Sequence, residues 1–538
     1  MAPHILRRIS IAIFLLLAIF ILTTFRHYGI SNDEEVQHVY GRLLVDFYQS
    51  GFVDRTAFEY KNLYLYGGFF DLIAATLERL LGMNPDSIAV WDMRHLISAL
   101  FGFAGIVGSY KLAKLLAGER AGLIAIMLLV VTGSWSGAMF THTKDVPFGC
   151  TMIWALYYTA LIVQTAPRIS LANSIKLGLA VGCALGLRVG GAFAVIYLLL
   201  SLAIVSLLLE LSWQEKGKFL LKSAWGLFPA GITALILMGI FWPWSVMAPD
   251  HMIEAAKAFS HFSFNMLTIM NGQIYGIGEV PRYYLLSYLL VKLPEITLIG
   301  MLALLYVAHQ QGRNLLPMIK HPNDTNKAWL VTLIALLFPA TFIMIDDPAL
   351  YDGVRHFTFL IPVISILSAC GLSLVIARLS AGKRKFIAIP VLLLIAYTAC
   401  TLARLHPYEY IYYNHLAGPL PLAEKKWESD YWSSSLREAA GVLTRYVDKE
   451  QKNPDAPPYS VAICAEDIQG WAYLDDRFEI SRNWTKADFF ISSTNMNCDK
   501  VLLGKEIGKI ERLGFTLAVI KDRRELQGKD RIPLPAPK

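Results

Sequence analysis

Charge is scarce in this sequence. Asp, Glu, Lys and Arg make up 17% of its 538 residues, where soluble domains carry roughly 25%, and 55% of the residues are hydrophobic. The deficit is gathered into long uncharged runs, which excludes an ordinary soluble enzyme and reads as a polytopic membrane protein. Cysteine is scarcer still. The six present are too few for a disulfide framework, and no spacing resembles a zinc site. Cys150, Cys183, Cys370 and Cys400 fall in apolar runs as small packing residues. Cys464 and Cys498 lie in the polar C-terminal part, where a bridge in an oxidising compartment and a reduced pair fit equally. Internal repeats are also lacking.

A span needs about 20 apolar residues. Eleven stretches meet this, at about 9–25, 93–117, 121–140, 147–166, 172–187, 190–209, 224–246, 285–308, 328–345, 357–377 and 386–404. Arg7 and Arg8 precede the first without a convincing small-residue cleavage site, so it is expected to be a retained anchor. The net charge of +7 does not point to nucleic acid. Basic residues such as Lys111, Lys114, Arg168, Lys216, Lys218, Lys383 and Arg384 all fall on one side, at span ends or in the short connections between them. The positive-inside rule makes that side cytoplasmic. The N-terminus is then inside, and the connections 26–92, 141–146, 188–190, 247–284 and 346–356 are external, with everything after about Leu405. A bacterial inner membrane or its equivalent plasma membrane is the expected location.

The first external loop contains two amphipathic patterns, Glu35–Tyr48 and Asp71–Leu81, with apolar residues at helical spacing. Both suit the membrane interface, as does a helix around Met252–Phe264. After Leu405 charge rises and apolar runs shorten. Ser434–Glu450 reads as a helix, and Val461–Ala465, Asp488–Ser492 and Thr516–Ile520 as buried strands. The expected organisation is a transmembrane domain over 1–405, a small external α/β domain over 406–529, and a disordered tail over 530–538.

Charged residues crowd the external ends of several spans. They are Asp33 and Glu34 after the first span, Lys144 and Asp145, Arg188, Lys292, and the run Tyr351, Asp352, Gly353, Val354, Arg355 and His356. Ionisable groups at membrane depth pair, line a cavity or act in chemistry. Each also has a plainer role: Asp33 as a helix cap, Arg188 and Lys292 as snorkelling residues, Lys144 and Asp145 as a mutual salt bridge, and Arg355 and His356 as partners of nearby aspartates. Convergence on one face favours a shared polar pocket. A secondary transporter or lipid flippase would also use intramembrane charges, but such folds often carry inverted repeats. A non-catalytic envelope scaffold is the remaining alternative.

The ordered pieces Asp33-Glu34, Lys144-Asp145-Val146-Pro147-Phe148, Lys292-Leu293-Pro294 and Tyr351–His356 resemble the GT-C glycosyltransferases over about residues 5–405. Within them, the chain is most similar to the protein O-mannosyltransferase-like and aminoarabinose-transferase-like branch. The resemblance implies an inverting hexosyl- or pentosyltransferase that takes a sugar from a polyprenyl-phosphate donor. The acceptor hydroxyl would belong to a glycan, lipid or protein on the outer face. It implies Asp33 as general base, with Glu34 orienting the acceptor or tuning Asp33. Lys144, Asp145, Arg188, Lys292, Tyr351, Asp352, Arg355 and His356 would bind substrate. Asp33, Asp145, Asp346 and Asp352 offer hard oxygen ligands, yet this branch is expected to need no cofactor and no obligatory divalent metal. The segment around Tyr413-Asn414 and Glu428–Trp432 also looks like a feature of bacterial members.

Overall fold

The computed structural model describes residues 2–260, 266–320, 323–449 and 457–534. Helices dominate it, and the two most buried spans set the centre. Windows of Asp145–Thr165 and Leu360–Arg378 are each 78% buried, against 17% for Trp213–Phe241 and Gly382–Leu405 and 22% for Pro3–His27. The first pair is covered by protein, and the latter three present leucine and isoleucine outwards where lipid would lie. Helices approach closely where small residues allow it: Gly178 and Gly182 lie against Ala230 and Ala234.

Seven described helices are long and apolar enough to cross a membrane, and nine if each bent pair is one span. The expected count of eleven is therefore not reached by length and composition. The difference arises where apolar runs bend, break or fall short. Leu171–Leu185 has only 15 residues. Tyr284–Lys292 and Glu295–Gly312 meet at 113°, and Ile88–Val130 meets the short helical turns of Gly133–Thr141 at 73°. Inside Ile88–Val130 the chain also reverses. Gly118 has φ +81°, and a side chain at Gly122 would lie 3.2 Å from the carbonyl oxygen of Tyr110. In a straight helix those two residues would be about 18 Å apart, so 93–117 and 121–130 are separate antiparallel segments.

The first external loop forms the helices Glu34–Gln49 and Phe69–Leu80, close to the expected pair. The helix expected around Met252–Phe264 is observed over His251–Ser260, and 261–265 lie outside the described residues. A hairpin, β1 (Leu267–Met270) with β2 (Gln273–Gly276), follows it.

In the C-terminal part, Leu436–Val447 is helical. A five-stranded sheet contains β3 (Tyr459–Cys464), β4 (Phe478–Ile480), β5 (Phe489–Ser493), β6 (Lys505–Arg512) and β7 (Phe515–Asp522) in the order β4-β3-β5-β7-β6. The pairs β3/β4 and β3/β5 are parallel, and the other two are antiparallel. The three strands read from the sequence are the inner three. Edge strands β4 and β6 are short or half-exposed and carry no clear apolar pattern. Cys464 and Cys498 form a disulfide with Cα atoms 6.2 Å apart. The tail expected to be disordered from Asp530 is instead held as far as Leu534. The Arg531 guanidinium donates to the carbonyls of Ala487 and Arg523, and the Leu534 N–H to that of Val501. Residues 535–538 lie outside the described ones.

Candidate active site

The two central spans both begin at one polar cluster. Asp145 is the first residue of the helix Asp145–Thr165, where a carboxylate complements the positive helix end. Arg355 lies in the turn that leads into Leu360–Arg378. That turn depends on Gly353, whose φ is +68° and whose N–H donates to the Tyr284 hydroxyl; a β-carbon there would meet the Tyr288 ring at 3.0 Å. Arg188 stands in an extended conformation between Leu171–Leu185 and Ala192–Leu208. Asp33 caps the sequence position before Glu34–Gln49 but makes no capping hydrogen bond.

Its carboxylate is turned to Arg355 instead. That guanidinium serves three acids at once: Nη2 pairs with Asp33, Nη1 donates to Asp352 Oδ2 at 2.9 Å, and Nε reaches Asp145 Oδ2 at 3.4 Å. The second oxygen of Asp145 is taken by Arg188. Side-chain exposure separates the three carboxylates: Asp33 is 38% exposed, Asp352 15% and Asp145 4%. Asp33 is the one an incoming molecule can reach. The plane of Arg355 lies over the indole of Trp432 at 4.1 Å, a favourable cation–π contact.

Lys144 is buried beside this network, with Nζ over the Tyr66 ring at 4.8 Å and no ion-pair partner among the described residues. Burial lowers its pKa, opposed by the charges of Asp71 and Asp33. Burial pushes Asp352 up to about 6, against the pull of Arg355. His356 is driven well below the ordinary histidine value by burial and by the nearby Arg355 and Arg188, so its ring is neutral.

An open cleft of about 360 Å³ adjoins the cluster, walled by Tyr66, Arg188, Phe259, Leu350, Tyr351, His356 and Phe357. A second recess of about 240 Å³ continues it past Leu65, Val189, Ala255 and Ala258 and shares Tyr66, Arg188 and Phe259. The walls are largely apolar, with a guanidinium and an imidazole set into them. That composition suits an amphiphile with an anionic head. Asp33 does not line the cleft; it is joined to it through Arg355, Asp145 and Arg188.

Seven of the expected residues are thus brought together at or beside the cluster: Asp33, Lys144, Asp145, Arg188, Asp352, Arg355 and, edge-on to His356, Tyr351. His356 itself sits in the cleft wall. Two expectations are corrected. Glu34 is fully buried, with one oxygen accepting from the Ser31 N–H at 2.8 Å and from His95 Nε2 at 3.1 Å. It faces the interior and fixes the start of its helix, away from the cleft wall. Lys292 is neither at the cleft nor snorkelling. Its ammonium donates to the Tyr410 carbonyl at 3.0 Å and lies 3.8 Å above the Tyr413 ring, tying a bent span to the chain after Leu405.

Tyr66 and Trp432, both at the site, are not among the expected substrate-binding residues. Tyr66 stands in an unremarkable stretch of the first loop. Trp432 comes from the C-terminal part, where Trp432 Nε1 and the Tyr431 hydroxyl both meet His142 Nε2, at 2.6 and 2.8 Å. The run Glu428–Trp432 was conspicuous in the sequence, but only its contact with Arg355 and His142 gives it a place. The described residues contain no group of three or more His, Cys, Asp or Glu side chains arranged to hold a metal ion.

Residues 83–244 match the family model described as dolichyl-phosphate-mannose-protein mannosyltransferase. No curated protein matches the chain. Among solved structures it is similar to ArnT from Cupriavidus metallidurans bound to undecaprenyl phosphate, at 15% identity and a TM-score of 0.47 over 96% of this chain and 98% of that one. It is also similar to the oligosaccharyltransferase AglB from Archaeoglobus fulgidus in complex with an inhibitory peptide and a dolichol-phosphate, at 12% identity and 0.47 over 91% and 70%. For the arabinofuranosyltransferase AftD from Mycobacteria the values are 12% and 0.41 over 98% and 40%. The family-model match falls on the spans that carry Lys144, Asp145 and Arg188.

Proposed function

We propose that this protein transfers a hexosyl or pentosyl group from a polyprenyl-phosphate donor to a hydroxyl of a glycan, lipid or protein acceptor, on the outer face of a plasma membrane. One observation carries the reading: the exposed carboxylate of Asp33 shares a guanidinium with Asp145 and Asp352, next to an apolar cleft that bears Arg188 and whose wall residue Tyr66 lies under the buried ammonium of Lys144. The match to a family described by a dolichyl-phosphate-mannose donor supports the same donor class.

In the reaction an acceptor hydroxyl enters beside Asp33, which takes its proton as the oxygen attacks the sugar C1. A positioned carboxylate accelerates such a step by roughly 10²–10⁴. The C1–phosphate bond breaks on the opposite side, inverting the centre, and the polyprenyl phosphate departs with the electron pair. Arg188 and Lys144 hold that phosphate, since bidentate guanidinium contacts and a desolvated ammonium favour the developing charge. Arg355 keeps the Asp33 carboxylate aimed until the acceptor displaces it. The isoprenoid lies along the cleft wall of Phe259, Leu350 and Val189. Guanidinium groups already occupy both oxygens of Asp145, so we read the reaction as one without an obligatory divalent ion. The positive-inside rule, applied to the basic connections, supports an N-terminus inside and a sheet-bearing part outside.

The test supplies membranes with polyprenyl-phosphate mannose and, separately, polyprenyl-phosphate arabinose. Asp33→Asn should lower transfer at least a hundredfold with normal protein levels. Undiminished transfer by that variant would end the proposal.

A further inference from the structure

The stretch Tyr28–Asp33 has no regular secondary structure, so its backbone polar groups need partners from elsewhere. Ser31 and Asp33 find theirs in the following helix, whereas those of Tyr28 and Ile30 come from the C-terminal part. The Ile30 N–H donates to the Tyr473 hydroxyl at 3.2 Å, and the Ile30 carbonyl accepts from Gln469 Nε2 at 2.8 Å. The Tyr28 carbonyl accepts from Arg437 at 2.9 Å, and Asn32 donates its side-chain amide to the Tyr431 carbonyl at 3.0 Å. Gly29 passes so close to Ser434 that a β-carbon would lie 2.2 Å from its carbonyl oxygen.

Gln469 does more than hold this loop. The same Nε2 donates its second hydrogen to the Trp432 carbonyl at 2.7 Å, and its oxygen accepts from the Glu466 N–H at 3.2 Å. Every polar atom of this buried amide is therefore engaged. One hydrogen goes to the loop three residues before Asp33. The other goes to the residue whose indole carries Arg355, the guanidinium that pairs with Asp33. Gln469 follows β3 in the short helical turn Ile468–Trp471, close behind the Cys464–Cys498 bridge.

We infer that Gln469 is a positioning residue: it sets the distance between the Asp33 loop and the Trp432 platform of Arg355, so that the sheet-bearing part completes the active site. This rests on the transferase reading above for its kinetic consequence, though not for its structural one. Gln469 touches no reacting atom. Its loss should alter how well Asp33 is aimed, not how the donor is held.

The experiment uses the full chain in nanodiscs. Gln469→Leu keeps the volume and removes both donors. It should lower kcat ten- to a hundredfold while the KM for the polyprenyl-phosphate donor stays within threefold and the melting temperature within a few degrees. Gln469→Glu sets an ionised carboxylate against two carbonyls, and as the pH falls its protonated form regains one donor. Its kcat should therefore recover towards acid relative to Gln469→Leu. Hydrogen exchange of the peptide spanning Tyr28–Asp33 should quicken at least tenfold in Gln469→Leu and stay unchanged in Asp33→Asn. Unchanged exchange, an unchanged kcat, or a loss seen wholly in donor KM would each overturn the inference. Faster exchange in a protein whose wild type transfers neither sugar would sustain the coupling and count against the transferase reading alone.

Discussion

Replacing Arg355 by Met should be costly, and the cost should depend on pH and on one aspartate. The change removes one cation from three acids, but they do not suffer equally. Asp145 keeps Arg188, and Asp33 is open enough to be hydrated. Asp352 is 15% exposed and loses its ion pair. Removing one partner of a buried pair costs about 3–5 kcal/mol; with two of the three acids compensated, about 3 kcal/mol at pH 8 is expected. Burial already pushes Asp352 up to about 6, against the pull of Arg355, so without Arg355 it rises further. An acid raised in the folded state contributes stability that is full below its unfolded value and is lost as pH rises through the folded one. The unfolded state is common to both proteins, so the penalty of Arg355→Met should grow only as pH rises through about 6, where Asp352 ionises in the wild type but stays protonated in the variant. At pH 5, where Asp352 is largely protonated in either protein, it should fall to the roughly 1 kcal/mol of an ordinary hydrogen bond. In an Asp352→Asn background it should stay near that value at both pH values, a coupling of about 2 kcal/mol at pH 8. Reversible denaturant titration in mixed micelles at pH 5 and pH 8 measures all four proteins. Equal costs in both backgrounds, without pH dependence, would refute the assignment of Arg355 as the charge that holds Asp352.

Lys144→Met should raise the KM for the lipid donor ten- to a hundredfold in the same transfer assay. It should leave stability unchanged or improve it by about 1 kcal/mol, because a buried ammonium with no ion-pair partner among the described residues is replaced by an apolar chain of similar length. Cys464→Ser with Cys498→Ser opens a bridge across 34 residues, worth about 4 kcal/mol on the chain-entropy model; faster hydrogen exchange in β3 and β5 would report it. Incubation with EDTA should leave transfer within twofold of the untreated rate, and a loss restored by added Mn²⁺ or Mg²⁺ would contradict a metal-independent reaction.

Much of the site was legible because a charge at the end of an apolar span is conspicuous wherever it is. Asp33, Lys144, Asp145, Arg188, Asp352 and Arg355 could be named one by one from that contrast. The inner strands β3, β5 and β7 were legible for the related reason that a buried strand is an unbroken apolar run. Glu34 and Lys292 stand out by the same contrast, yet both are buried away from the cleft. A charge near a span end can face a chamber or an interior partner, and hydropathy is blind to the difference.

Hydropathy and charge placement, which are properties of short windows, were enough to decide on their own that this chain crosses a membrane many times and carries its acids and bases at one set of span ends. Partnership was decided only by the tertiary structure. Asp33 and Arg355 are 322 residues apart, and His142 and Trp432 are 290. Which acids one guanidinium gathers, and which buried amide ties the Asp33 loop to Trp432, depend on how the central helices and the sheet-bearing part pack. No local pattern encodes a contact over that distance, because each side chain's environment is supplied by residues whose positions the whole fold sets.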